Sequence, residues 1–256
     1  EMRSRTRGLV VAVGVDREPA WDSAVWASDL GSDPLGRFRF TLHACLPGAP
    51  YSQAEVELSL TGRHQVANAV AAAAGAMAVG VPLEAIASVL PNVQPRSRWR
   101  MELQSRPDGV LVINDAYNAN PDSMQAAIEA LAELGRARPG GHTWAVLGDM
   151  LELGAMSSAE HANLGTSVAS HGVSWLIAVG RHAQEVVEAA VVAGLPAERA
   201  VIASSKLEAT KRVVDGLAPA DVVLVKASRG LALDTVAEEI LRQDLPATGP
   251  ATESRR

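Results

Sequence analysis

Polar side chains that could do chemistry gather where apolar segments of the sequence end. Residues 110–115 form such a segment, which finishes in Asp115 and is followed by Tyr117 and Asn118. A carboxylate in this position can accept hydrogen bonds from sugar hydroxyl groups, and a phenol and an amide just beyond it can meet a base. These three residues indicate a ligand site at the end of a buried strand.

The residues that come next fit the start of a helix and need no ligand to explain them. Asn120 is a good N-cap, Pro121 suits the first helical position, and Asp122 suits the positive end of the helix dipole. Further along, Ser157 and Glu160 have the spacing of a capping box for another helix.

Two more apolar segments have a charged residue at or just after their end. Asp149 follows Gly148 after residues 142–147, where it could meet a ligand amine or a metal, or simply close a turn. Lys226 ends residues 221–226, although the chain has only three lysines. A surface salt bridge is the alternative role for Lys226, although it leaves unexplained why a lysine finishes so apolar a strand.

The residues after Lys226 have the features of an anion site. Ser228, Arg229 and Gly230 are expected to open a helix. The free N–H groups of a helix N-terminus, beside a Lys–Arg pair, bind anions.

An alanine-rich helix earlier in the chain carries another candidate pair. His64 and Asn68 are four residues apart and therefore share a helix face. We interpret Asn68 as buried, so it needs hydrogen-bond partners, which a nucleobase edge would supply. A structural hydrogen bond inside the protein is the alternative.

The elements that position these residues follow from apolar periodicity. In the first part we expect strands at 8–15, 24–27, 37–45 and 54–60 and helices at 63–79 and 83–90. The proline-containing run PNVQPRSR then predicts a domain boundary near residue 95. The tail, residues 246–256, has no periodicity and is expected to be disordered.

The second part alternates apolar runs with amphipathic helices, which predicts an α/β fold with a doubly wound, mostly parallel sheet. The first two strands are joined by a short turn and could form an antiparallel hairpin. Strands are expected at 101–105, 110–115, 142–147, 174–179, 199–203 and 221–226, and helices at 121–136, 158–171, 182–193, 205–216 and 231–242. Because ligands bind at the carboxyl ends of such strands, Asp115 and Lys226 should converge on one cleft.

Composition narrows the classes of function. The 256 residues carry a net charge of −6, which argues against a nucleic-acid binder. Cys45 has no partner for a disulfide, and no apolar run is long enough for a membrane helix, so we expect a cytoplasmic protein. The six histidines show no metal-ligand spacing, and no Ser-His-Asp or Cys-His arrangement stands out.

Five motifs in order resemble the Mur ligases of peptidoglycan synthesis: GRHQVANAVAA, an arginine after the boundary (Arg98), NDAYNANPDSM, LGDMLELG and VKASRG. YNANPDSM and GDMLELG are most similar to the member that joins D-alanyl-D-alanine to UDP-N-acetylmuramoyl-tripeptide. The resemblance implies an ATP-dependent ligase of cell wall biogenesis that forms an amide through an acyl phosphate. We expect a monomer that acts on small molecules.

The resemblance also implies a domain organisation and residue roles. Residues 1–95 would be the back end of a central P-loop-type ATPase domain, and 96–245 a Rossmann-like C-terminal domain. The catalytic side chains would be Arg98, near the phosphates, and Lys226. ATP would be bound by His64, Asn68, Arg98, Asp115, Tyr117 and Asn118. The acceptor dipeptide would be bound by Asp149, Lys226, Ser228 and Arg229.

Two departures from the family pattern bear on this expectation. Gln65 stands where the family usually has asparagine after the histidine. No GxxGK[ST] phosphate loop is present, so the main Mg²⁺ ligands and the phosphate cradle would lie outside these residues. We therefore expect a fragment that is inactive alone.

Two other functions remain open on the sequence. A sister ligase, which adds an amino acid or forms folylpolyglutamate, typically carries a histidine where this chain has YNAN. A non-catalytic Rossmann-like binding module is the alternative from another class. An upstream G-x-x-G-K-[ST] segment in the reading frame would exclude the non-catalytic binding module.

Overall fold

The computed structural model describes Thr6, residues 8–93 and residues 98–243. The chain divides into two compact units, Glu1–Met101 and Glu102–Arg256. The boundary expected near residue 95 and the tail at 246–256 both lie outside the described residues.

The N-terminal unit is built on one four-stranded sheet. Its strands are β1 (Ala12–Val15), β2 (Ala24–Ser32), β3 (Arg37–Cys45) and β4 (Ser52–Thr61). They lie side by side in chain order. β1 is parallel to β2, whereas β2, β3 and β4 are antiparallel neighbours.

Two helices, α1 (His64–Ala78) and α2 (Leu83–Val89), pack on this sheet. α1 buries Val66, Ala69, Val70 and Ala73, a spacing of three and four residues that forms one apolar face. These side chains share a core with apolar residues of β2, β3 and β4.

The C-terminal unit is a six-stranded sheet flanked by five helices. Its strands are β5 (Glu102–Ser105), β6 (Leu111–Asp115), β7 (Thr143–Gly148), β8 (Trp175–Val179), β9 (Ala200–Ala203) and β10 (Val222–Lys226). Its helices are α3 (Pro121–Arg136), α4 (Ser157–Ser170), α5 (Ala183–Val192), α6 (Lys206–Gly216) and α7 (Asp234–Arg242). β5 and β6 form the expected antiparallel hairpin, and the other pairs are parallel.

The strand order, β5-β6-β10-β7-β8-β9, places the last strand in the middle of the sheet. β6, β7 and β10 are buried along their whole length, as expected for parallel strands covered on both faces. α3, α4 and α5 pack side by side, whereas α6 and α7 pack together over the face that carries Val223 and Val225. The chain thus reverses its winding direction at β10, and this is the switch point at which such sheets bind ligands.

The α/β fold class is confirmed, and most elements lie within a few residues of their predicted bounds. α7 begins later than expected because Arg229–Leu231 forms a separate 3₁₀ turn and Ala232 adopts a left-handed φ of 50°. The capping box expected from Ser157 and Glu160 is wrong. Ser157 is the first residue of α4, whose N-cap makes no side-chain hydrogen bond.

None of the helices in the described part of the chain combines the length and the apolar character that crossing a membrane would require.

Close packing between α4 and α5 predicts a strong effect of one methyl group. A Cβ atom on Gly165 would lie 2.1 Å from the Val186 carbonyl oxygen, so Gly165→Ala should lower the free energy of unfolding by about 1–3 kcal/mol. Nothing lies within 4 Å of a Cβ on Gly75, in α1, and there alanine should add about 0.5–1 kcal/mol. Urea denaturation would measure both changes, and equal effects would contradict this packing.

Candidate functional site

The carboxyl ends of β6, β10 and β7 meet at one edge of the C-terminal sheet. Asp115 and Lys226 are register partners on β6 and β10, and Leu147 of β7 is the partner of Lys226 on its other side. The expectation that Asp115 and Lys226 converge is therefore confirmed.

Asp115 and Lys226 form a buried ion pair. The Lys226 Nζ atom lies 2.5 Å from Asp115 Oδ2, and the two side chains are 2% and 12% exposed. The ammonium also donates to the carbonyl oxygen of Asn118 at 2.9 Å. A buried charge is tolerated when it is paired and hydrogen-bonded, so the Asp115 carboxylate stabilises the buried Lys226 ammonium.

Ser228 joins the loops that follow the three strands. Its hydroxyl accepts a hydrogen bond from the Leu151 N–H at 2.9 Å and donates to the Ala119 carbonyl oxygen at 3.5 Å. Its own N–H donates to the Asp149 carbonyl oxygen at 3.1 Å. Ser228 is buried, so its hydroxyl is engaged within the protein.

Asp149 connects the end of β7 to the end of β8. Its two carboxylate oxygens accept hydrogen bonds from the N–H groups of Arg181 and His182, at 2.9 and 3.0 Å. Gly180 has a φ of 122°, and a Cβ atom there would lie 2.6 Å from this carboxylate. These contacts support the turn explanation for Asp149, and binding of the acceptor by this residue stays a prediction.

Three of the predicted site residues are exposed at the same edge. Tyr117 is 38% exposed, and Asn118 and Arg229 are also exposed. Arg229 begins a 3₁₀ turn with Ser228 as its N-cap, so a short helix opens here and α7 begins later. The anion site stays a prediction. The cations remain, but the backbone donors of α7 begin at Asp234.

The remaining predicted residues lie in the N-terminal unit. His64 is the first residue of α1 and half-buried, and Asn68 lies one turn later. The interpretation of Asn68 as buried is wrong: its side chain is exposed and donates to the Gln65 Oε1 atom at 3.1 Å. Arg98 is exposed, with its guanidinium 5.2 Å from the centre of the Trp99 ring.

A family model for the Mur ligase glutamate ligase domain matches residues 99–229, half of the chain. The chain belongs to the Mur ligase family. The match includes Asp115, Asp149 and Lys226, so the strand ends described above lie within the family domain.

Curated relatives that this Mur ligase chain matches include proteins named UDP-N-acetylmuramoyl-tripeptide–D-alanyl-D-alanine ligase. The Mycobacterium tuberculosis protein is 41% identical over 246 residues, covering 91% of this chain and 47% of the relative. The Escherichia coli protein is 34% identical, covering 82% of this chain and 48% of the relative. The chain thus spans about half the length of the curated relatives it matches.

Solved structures give the same picture. MurF from Acinetobacter baumannii is 26% identical and matches with a TM-score of 0.71 over 91% of this chain and 52% of that one. MurF from Thermotoga maritima, solved with ADP, is 25% identical and matches with a TM-score of 0.62 over 86% of this chain and 46% of that one.

Two histidines that support this edge of the Mur ligase chain, His161 and His182, were not predicted from the sequence. His161 is fully buried and stacks on His182 with ring centres 4.4 Å apart. His182 lies 3.0 Å from the Glu185 carboxylate, and this hydrogen bond lowers the pKa of Glu185. The four-residue spacing of Ser157 and His161 was the available signal, but it does not distinguish a core histidine from a functional one.

The buried ion pair predicts an asymmetry between single and double substitutions. Lys226→Met leaves the Asp115 carboxylate buried without its cation and should lower the free energy of unfolding by about 3–5 kcal/mol. The double variant Asp115→Asn/Lys226→Met should lose less, because it buries no unpaired charge. Urea denaturation followed by circular dichroism measures both. A double variant less stable than Lys226→Met would contradict this account.

Proposed function

We propose that this chain is part of an ATP-dependent ligase that joins D-alanyl-D-alanine to UDP-N-acetylmuramoyl-tripeptide. The observation that carries the proposal is the pairing of Asp115 with Lys226 at the switch point of a Mur ligase family domain. The names of the curated relatives and of the similar solved structures support the choice of substrates.

The β6 exit suits a nucleoside. The Asp115 side chain is held by Lys226 but keeps 12% of its surface exposed, and a carboxylate is a natural acceptor for ribose hydroxyl groups. Tyr117 presents an exposed aromatic ring two residues later, and Asn118 adds an amide. We assign ribose to Asp115 and the flanks of the nucleoside to the other two.

The other residues predicted to bind ATP belong to the N-terminal unit. We assign the adenine side to His64 and Asn68, which lie one turn apart at the start of α1. Exposure of Asn68 favours this assignment over a purely internal structural role. The exposed guanidinium of Arg98 is assigned to the phosphates, where a planar cation binds bidentately.

The β10 exit suits the acceptor dipeptide, which carries a carboxylate. Arg229 is exposed and is assigned to that carboxylate. Ser228 and Asp149 shape the loops around the dipeptide. The positive charge of Lys226, beside these loops, neutralises negative charge of the bound substrates.

The reaction needs positioning and charge neutralisation rather than a nucleophilic side chain. The tripeptide carboxylate attacks the γ-phosphorus of ATP, and ADP leaves as the acyl phosphate forms. The amine of the dipeptide then attacks the acyl carbon, and the tetrahedral intermediate expels phosphate while the amine nitrogen loses a proton. Among the described residues no group of three His, Cys, Asp or Glu side chains could hold a metal. We therefore assign Mg²⁺ binding to other parts of the ligase.

We infer that the enzyme acts in the cytoplasm, where ATP is available, and that it is a monomer. It is tested by incubating the full-length protein with ATP, the UDP-linked tripeptide and the dipeptide. We expect phosphate release that depends on both the UDP-linked tripeptide and the dipeptide. The mass of the product should equal the sum of their masses minus water. Release supported by a single amino acid instead of the dipeptide would favour a sister ligase, and no release would favour a binding module.

The nucleoside assignment predicts that the Tyr117 ring, and not its hydroxyl group, matters. Tyr117→Ala in the full-length protein should raise the KM for ATP about fivefold or more, because stacking on a base contributes about 1–3 kcal/mol. Tyr117→Phe keeps the ring and should change the KM less than twofold. Steady-state kinetics with ATP varied measure both, and equal KM values for the two variants would remove Tyr117 from the nucleoside site.

The acceptor assignment predicts a selective defect at Arg229. Arg229→Ala should raise the KM for D-alanyl-D-alanine by about tenfold, since a charge-assisted hydrogen bond contributes about 1.5–3 kcal/mol, and leave the KM for ATP unchanged. Arg212, exposed on α6, provides the matched control, and Arg212→Ala should change neither constant. A rise in the KM for ATP alone would transfer Arg229 to the nucleotide.

A further inference from the structure

Two consecutive backbone N–H groups after β7 are bound by side chains. The Met150 N–H donates to His161 Nε2 at 2.9 Å, and the Leu151 N–H donates to Ser228 Oγ at 2.9 Å. The next residue, Glu152, adopts a left-handed φ of 67°. Because no backbone ladder holds these two N–H groups, the shape of the loop depends on the two side-chain acceptors.

The partners of His161 define its protonation state. Its Nδ1 atom lies 2.6 Å from the Ser157 carbonyl oxygen, which can only accept, whereas the Met150 N–H can only donate. Nδ1 therefore carries the hydrogen and Nε2 a lone pair, which is the neutral imidazole. The ring is fully buried and stacks on His182, so its orientation is fixed from several sides.

We propose that His161 is a positioning residue for the acceptor side of the site, an inference that rests on the proposed function. The ring links the first turn of α4 to the loop after β7, and that loop contacts Ser228 twice. The Leu151 N–H reaches the hydroxyl of Ser228, and the Ser228 N–H donates to the Asp149 carbonyl oxygen at 3.1 Å. Through Ser228, His161 sets the position of the neighbouring Arg229.

Three substitutions separate the two hydrogen bonds of the ring. His161→Gln can place an oxygen near the position of Nε2 and keep the bond from Met150. His161→Asn can keep only the bond to Ser157, and His161→Leu keeps neither. His171 supplies the matched control, because its Nδ1 atom contacts the carbonyl oxygen four residues back, at Ser167, in the same way.

Amide hydrogen exchange in this 256-residue chain tests the positioning directly. The Met150 and Leu151 amides should exchange about fivefold or more faster in His161→Leu and His161→Asn than in the unsubstituted chain, since one hydrogen bond is lost. His161→Gln and His171→Leu should leave both rates within about twofold of the original. Equal acceleration by the asparagine and glutamine variants would overturn the inference, as would no acceleration at all. Faster exchange throughout α3 and α4 would instead show general destabilisation and would also overturn it.

Kinetics of the full-length protein distinguish this inference from the proposed function. His161→Leu and His161→Asn should raise the KM for D-alanyl-D-alanine several-fold and leave the KM for ATP unchanged, with rescue by His161→Gln. Accelerated exchange without any change in the dipeptide KM would show that the loop is positioned by His161 but does not serve the acceptor. In that case the acceptor assignment would be wrong.

Discussion

The ion pair between Lys226 and Asp115 constrains the whole carboxyl edge of the C-terminal sheet. Side chains alternate between the two faces of a strand, so a shift of one residue between β10 and β6 would turn the ammonium toward the face of Val223 and Val225. The buried ammonium would then lose both the Asp115 carboxylate and the Asn118 carbonyl oxygen, which is strongly unfavourable. The pair thus fixes the strand register, and the register brings the two strand ends level.

Hydrogen bonds around Ser228 extend this order from the strands to the loops. The Ser228 hydroxyl contacts the loops after β6 and β7, and the Ser228 backbone N–H contacts the loop after β7 a second time. Asp149 adds the loop after β8 through two further N–H groups. Most of these polar groups are therefore hydrogen-bonded to one another across the loops that follow β6, β7 and β8. Side chains that extend from this edge into solvent, among them Tyr117 and Arg229, are those that we propose to meet ligands.

The sequence predicted which segments form strands and helices better than it predicted which of these elements lie next to each other. Apolar runs locate β6, β7 and β10 because all three are buried on both faces, but for the same reason the runs look alike and do not reveal which strand lies in the middle. In α1 the high alanine content gives little contrast between faces, so burial of Val66 and Val70 rather than Asn68 could not be read from periodicity. His161 carried no distinguishing pattern, because its role depends on a loop that packs against it only in the folded chain.

The geometry also divides the cations at this edge into two kinds. Two of the three N–H bonds of the Lys226 ammonium are directed to Asp115 and to the Asn118 carbonyl oxygen, and its side chain is 2% exposed. An incoming carboxylate would have to compete with an existing buried partner for that charge. Arg229 is exposed immediately after Ser228, the last residue of the buried run 221–228, where a ligand can approach without breaking a buried pair. In the proposed reaction Lys226 therefore contributes chiefly by holding Asp115 and the loop after β6. We assign direct contact with the acceptor carboxylate to Arg229.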